Sequence, residues 1–154
     1  MSGSKRNKRY KIGYTQGVFD MFHVGHLSII NRASAQCERL IVGVNSDELV
    51  KEYKGKKPVI NERDRLEIVS NIKAVYSCEI VDTLDKVALR DKFLYDAVFI
   101  GDDWKGSERW NSTEIELGAK NIDVVYLPHT PNISSSLLRV EIPNRIGEND
   151  LSGI

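Results

Sequence analysis

The chain has 154 residues, 41% of them hydrophobic and 29% charged, which is enough apolar material for one domain with a real core and too much for a disordered chain. Lys plus Arg and Asp plus Glu both number 22, so the net charge of zero excludes a general attraction to nucleic acid or acidic membranes, and any cationic site must be local. No apolar run approaches the roughly 18 residues of a membrane span. Two cysteines, Cys37 and Cys78, without a signal-like apolar stretch, fit a reduced, cytoplasmic protein better than a disulfide scaffold.

Residues 1–10 are polar and basic, with Lys5, Arg6, Lys8 and Arg9, and read as a flexible leader ahead of one domain over 11–140. The apolar run Lys11 to Thr15 predicts a first strand, and Leu27, Ile30 and Ala33 recur at the spacing of a helix reaching about Gln36. Arg39 to Asn45 predicts a buried parallel strand, so the opening is a βαβ unit. Ser46-Asp47-Glu48 is a helix-start pattern at that strand's end, where ligands sit in open α/β sheets. Asp47 is then either a helix cap or an acid near substrate.

Lys51 to Pro58 holds four lysines, a glycine and a proline, and predicts a loop. It is the one dense positive patch beyond the leader, either a solvated surface or a set of flexible point charges for phosphates. Asn61 to Val75 predicts a helix capped by Asn61, with Leu66, Val69 and Ile72 on one face. Tyr76 to Val81, Leu84 to Phe93 and Tyr95 to Gly101 follow as strand, helix and strand. Lys105 to Gly118 reads as a polar loop with a short helix, Asn121 to Leu127 as the last strand, and Ser135 to Val140 as the last helix. Residues 141–154 form a polar tail.

The chemistry centres on Gly17 to His26, Gly-Val-Phe-Asp-Met-Phe-His-Val-Gly-His, at a strand-to-helix junction. The unpaired N–H groups of a helix's first turn and the positive end of its dipole make an anion site. Gly25 allows close approach of backbone to a ligand, and His23 and His26, three apart, can donate to the same phosphoryl oxygens. A packed or solvated histidine is the ordinary alternative, but two of the chain's three histidines flank one glycine at this turn. A metal pair is disfavoured, because neither cysteine falls at a ligand spacing and the H-E-x-x-H helix pattern is absent.

These residues resemble a known family. His23-Val24-Gly25-His26 inside Gly17-x-Phe19-Asp20 resembles the HxGH signature of the nucleotidyltransferase superfamily in its cytidylyltransferase form. From Lys11 to Arg139 the chain is most similar to the glycerol-3-phosphate cytidylyltransferases. Gly101-Asp102-Asp103-Trp104 matches a second signature beside the nucleotide, and Pro128 to Ser136 falls where the family carries Arg-Thr-Glu-Gly-Ile-Ser-Thr. There the chain departs at His129, Pro131 and Asn132. His129 lacks the permanent charge and the bidentate fork of arginine.

The resemblance implies a single-domain, Rossmann-like α/β fold with a parallel sheet of about five strands. It implies transfer of CMP from CTP to a phosphorylated small alcohol such as glycerol phosphate, with pyrophosphate released, in a homodimer that uses Mg²⁺. His23, His26, Lys54 and Lys56 would be catalytic. Gly17, Val18, Phe19, Gly25, Asp102, Trp104, His129, Thr130, Ile133, Ser134, Ser135 and Ser136 would hold the nucleotide, and Asp47, Lys54, Lys56 and Arg65 the acceptor. A surface charge or a buried ion pair is the other reading of Arg65. Transfer from ATP, and a regulatory module without turnover, are the rival functions.

Overall fold

A computed structural model describes residues 8–128. In chain order the elements are β1 (Tyr10–Gly17), α1 (Val24–Ala35), β2 (Cys37–Asn45), α2 (Asp47–Lys54), α3 (Glu62–Ser70), β3 (Ser77–Val81), α4 (Lys86–Phe93), β4 (Ala97–Gly101), a 3₁₀ turn over Asp102–Trp104, α5 (Glu108–Gly118) and β5 (Asp123–Leu127). The five strands form one sheet in the order β3-β2-β1-β4-β5, and every neighbouring pair is parallel. This is the Rossmann-like α/β architecture expected from the sequence. No described helix is long and apolar enough to cross a membrane.

Strand residues alternate between two cores because successive side chains point to opposite faces. Leu40, Val42 and Val44 of β2 join Ile30 and Ala33 of α1 and Val69 of α3 on one face. Ile41 joins Tyr14, Leu89 and Phe93 of α4, and Trp110 and Leu117 of α5 on the other. Tyr14 is fully buried there, stacked on Phe93 at 5.0 Å and on Tyr95 at 5.1 Å. The chain builds outward from β1 to β3, then crosses back to β4 on β1's other side. That reversal opens a crevice at the carboxyl ends of β1 and β4, the place where parallel sheets bind ligands.

Several boundaries differ from the sequence reading, four of them with a physical consequence. β1 begins at Tyr10 rather than Lys11, because the amides of Arg9 and Tyr10 both donate to Gln36 O, so Tyr10 belongs to the sheet and not to a leader. The lysine run is not all loop: Lys51 and Lys54 lie on α2, which Ser46 caps by accepting from Leu49 N. The glycine read as a loop marker is that helix's stop, since Gly55 adopts φ 83 and donates to Lys51 O. α3 ends at Ser70, not Val75. Ser70 Oγ donates to Leu66 O and Asn71 Nδ2 to Glu67 O, while Tyr76 N is drawn to Leu40 O at the start of β3. Ile72 and Val75 still pack on the core, from a turn, which is why the helical spacing runs on past the helix. Lastly, the short helix read between Lys105 and Gly118 is α5, which takes 11 of those residues and buries Trp110.

Gly43 of β2 pairs in register with Gln16 of β1, and a Cβ placed on it would collide with the Tyr14 hydroxyl. Gly43→Ala should therefore lower unfolding free energy by about 1–3 kcal/mol, the usual cost of overpacking. The measure is a lower urea midpoint at unchanged slope, and an unmoved midpoint would show that Tyr14 can leave its seat freely.

Candidate active site

β1 delivers the chain to the crevice at Gly17, where a Cβ would stand 3.2 Å from the Phe19 ring. The turn that follows is strained: Phe19 and Met21 hold φ of 55 and 49, a region that costs a bulky residue about 1–3 kcal/mol. Asp20 between them is buried, and its two carboxylate oxygens accept from Val59 N and Ile60 N, each at 2.8 Å. The strained turn is thus tied to the segment that follows the lysines.

α1 then starts with its two histidines capping each other's backbone. His23, in extended conformation at the N-cap, accepts from Gly25 N through Nδ1 at 3.0 Å. His26 Nδ1 accepts from His23 N at 3.2 Å. This is the capping-box exchange with imidazoles in place of the usual hydroxyl and carboxylate. Its chemical consequence lies at the far nitrogens. A ring whose Nδ1 accepts a hydrogen bond and which stays neutral carries its proton on Nε2. Both rings stay neutral near pH 7: burial pushes His23 below its usual value, and burial, then the charge of His23, brings His26 to about 4 against the opposing pull of Asp20.

The two rings stack at 3.9 Å, so their Nε2–H groups form a closely spaced donor pair. Among the described residues, His23 Nε2 is buried without a hydrogen-bond partner. A buried donor left unpaired is costly, and one at the head of a helix suits an anionic oxygen. The other lip is Gly101 to Trp104 at the end of β4. Asp102, Asp103 and Trp104 are exposed there, Trp104 by 50%, with its ring open to a planar ligand.

The family model of cytidylyltransferase-like proteins matches residues 14–141. The chain belongs to that family. Among curated relatives it is 46% identical over 82 residues to the bifunctional protein HldE of Hyphomonas neptunium, covering 51% of this chain and 17% of that one. It is 33% identical over 134 residues to HldE of Rhodopseudomonas palustris strain TIE-1, covering 86% of this chain and 27% of that one. The chain thus spans about a quarter or less of the length of these relatives. The crystal structure of the lipopolysaccharide core biosynthesis protein from Thermoplasma volcanium GSS1 shares the fold, with a TM-score of 0.65 at 23% identity over 79% of this chain and 97% of that one.

In this cytidylyltransferase-like chain, the buried Arg65 and the partly exposed Asp47 meet as an ion pair at 2.7 Å. Asp47 does not cap α2; Ser46 does. Asp47 Oδ2 instead accepts from Glu62 N at 3.4 Å, and Asp47 N donates to Glu62 Oε1 at 2.8 Å. Arg65, 1% exposed, gives Nε to Ile60 O, Nη1 to Val18 O and Asn45 O, and Nη2 to Asp47. Four of the guanidinium's five N–H groups are therefore engaged by the protein, and Arg65 takes part in an ion pair, as one of its two sequence readings had it. Lys54 and Lys56 stand exposed. His129, Thr130, Ile133, Ser134, Ser135 and Ser136 lie outside the described residues.

Gln16, Asn45 and Tyr53 went unremarked in the sequence, although polar residues ending two otherwise apolar strands were the available signal. The role of Asp20 inside the quoted signature also escaped, since its partners are 39 and 40 residues away.

Replacing Arg65 with Met strands three carbonyls and one carboxylate, and should cost about 3–5 kcal/mol in urea unfolding, as broken buried pairs do. Arg65→Lys should recover little of it, because an ammonium cannot span the fork. Stability of Arg65→Lys within about 0.5 kcal/mol of the parent, with weakened acceptor affinity, would return Arg65 to the acceptor. The histidines give a pH signature. Their folded values lie below the ordinary 6.5 of an unfolded histidine, so the unfolded chain gains protons first as pH falls. Stability should decline from about pH 6.5 toward about 4. His26→Asn should flatten that decline in urea midpoints measured across a pH series; equal slopes would assign the decline to other groups.

Proposed function

We propose that this chain transfers a nucleotidyl group from CTP to a phosphorylated polyol or sugar and releases pyrophosphate. The observation that carries the reading is the pair of neutral Nε2–H donors on His23 and His26, one of them buried and unpartnered, at the head of α1 in the sheet's switch-point crevice. The acceptor's phosphate oxygen attacks the α-phosphorus, the new O–P bond forms as the bond to the β-phosphate oxygen breaks, and both electrons of that bond leave with pyrophosphate. A phosphate nucleophile at neutral pH is already deprotonated, so the chain's work is positioning and charge stabilisation.

His23 and His26 donate to non-bridging oxygens of the α-phosphoryl group, where charge shifts during transfer. Neutral, fixed donors suit that task because they need no reorganisation as the reaction proceeds. Lys54 and Lys56 reach over from the end of α2 and the loop beyond it to hold phosphates. Mg²⁺ would arrive on the triphosphate. The described residues hold no cluster of three or more His, Cys, Asp or Glu side chains to cage it, so phosphate oxygens would hold the ion.

A second reading, adenylyl transfer to a sugar phosphate, is favoured by the 46% identity to the bifunctional protein HldE. Pyrophosphate release from CTP and from ATP, across a panel of phosphorylated polyols, amino alcohols and sugar 1-phosphates, separates the two. Release from neither, in the presence of Mg²⁺, would sink both. In the active pairing, His23→Ala and His26→Ala should each lower the turnover number by about 10²–10³-fold, the cost of one transition-state donor. Nucleotide affinity should change far less. A loss below about tenfold in both would remove the histidines from the transition state.

A further inference from the structure

A line of partly buried hydrogen bonds, ending at the exposed Tyr53, crosses the carboxyl ends of β1 and β2 on the α4 and α5 face of the sheet, opposite the core shared with α1 and α3. The Tyr14 hydroxyl donates to Gln16 Oε1 at 2.7 Å. Gln16 Nε2 donates to Asn45 Oδ1 at 2.8 Å and to Thr83 O at 2.9 Å, and Asn45 Nδ2 donates to the Tyr53 oxygen at 3.1 Å. The direction of each bond is forced. A carbonyl such as Thr83 O only accepts, which fixes the Gln16 amide. Gln16 then fixes Asn45, and Asn45 makes the Tyr53 oxygen an acceptor. The Tyr53 proton must point away from Asn45, and no described group receives it.

Tyr53 sits on α2, beyond β2, whereas Arg109 sits in the first turn of α5, beyond β4. The strands that lead to them, β2 and β4, neighbour β1 on its two sides, so the two residues stand beyond the carboxyl end of β1 from opposite directions. Arg109 makes no hydrogen bond or ion pair through its guanidinium among the described residues. In nucleotidyl transfer, a phosphate dianion must be brought against a polyphosphate. That approach needs a directed donor and a cation at the acceptor's phosphate.

We propose that the Tyr53 hydroxyl and the Arg109 guanidinium receive the acceptor's phosphate, with Gln16 and Asn45 as positioning residues that aim the hydroxyl. The assignment rests on the nucleotidyl-transfer reading and adds the acceptor's subsite to it. Asp47 and Arg65, engaged with each other, are left as the support beneath it.

The test is steady-state kinetics of Tyr53→Phe, which keeps the ring, with the acceptor turned over fastest in the panel above. The KM for that acceptor should rise about tenfold, the size of one hydrogen bond to a charged group. The KM for the nucleotide should stay within about twofold. Arg109→Gln, at an exposed position that does not endanger the fold, should move the same constant in the same direction. An unchanged acceptor KM in both variants, or a nucleotide KM that rises in step, overturns the assignment while leaving the reaction intact. If the parent turns over no nucleotide, the reaction reading itself has failed. Calorimetry with inorganic phosphate then decides the subsite: binding to the parent that both variants lose supports it, and equal or absent binding in all three overturns it.

Discussion

One buried guanidinium holds the crevice together. Arg65 reaches from α3 to the carbonyls of Val18 in the turn after β1, of Asn45 at the end of β2 and of Ile60 before its own helix, and to the carboxylate of Asp47 on α2. Each of those segments has ended its regular structure and carries backbone oxygens with no strand or helix to satisfy them. A planar fork of five donors can gather them where an ammonium cannot. The turn after β1 is the one that needs the help, because two non-glycine residues hold positive φ there. Asp20 and Arg65 pin that turn from two sides, both against the stretch around Ile60. With its entry so fixed, α1 presents the same four atoms of its first turn every time the chain folds.

What that first turn presents is unusual in its chemistry. Serine or threonine would spend its one hydroxyl on the cap, and aspartate would have only a second acceptor oxygen to offer. An imidazole has two nitrogens. Capping uses Nδ1 of both rings, and Nε2 of both is thereby committed as a donor. Burial holds the rings neutral, so the site pairs fixed dipoles with the α1 macrodipole. A permanent cation here would grip any phosphate, in the ground state as in the transition state. Uniform binding of that kind lowers KM without raising turnover.

The sheet was legible because its strands are short runs rich in β-branched and aromatic residues, and the inner strands β2 and β4 are buried on both faces. The histidine turn was legible for a different reason: its two rings and glycine sit within four residues, so local spacing carries the geometry. Where partners are distant in sequence, legibility failed. The lysine run looked like a loop because α2 buries only Leu49 and Val50, too narrow a stripe to show as periodicity. Arg65 could be read as ion pair or ligand, and only the convergence of Val18, Asn45 and Asp47 chooses. The bond directions linking Tyr14, Gln16, Asn45 and Tyr53 are likewise set by strand register, which no single segment encodes.

The two cores divide the labour of β1. Thr15 donates to Phe99 O across to β4, on the strand pair that bounds the crevice, and Gly17 opens the way to the histidine turn. Tyr14 and Gln16, facing the other way, send their hydrogen bonds toward β2 and α2. Because side chains alternate along a strand, a one-residue slip of β1 would exchange the two sets and ruin both at once. The glycines police that register. A Cβ at Gly13 would stand 2.7 Å from Cys37 Sγ and from the Phe99 ring, and one at Gly43 would strike Tyr14. Close packing against the sheet and polar direction at its carboxyl end are therefore one constraint. The same alternation that buries Tyr14 against Phe93 and Tyr95 is what points Gln16 at Asn45, so the polar line at the crevice inherits its rigidity from the aromatic core under it.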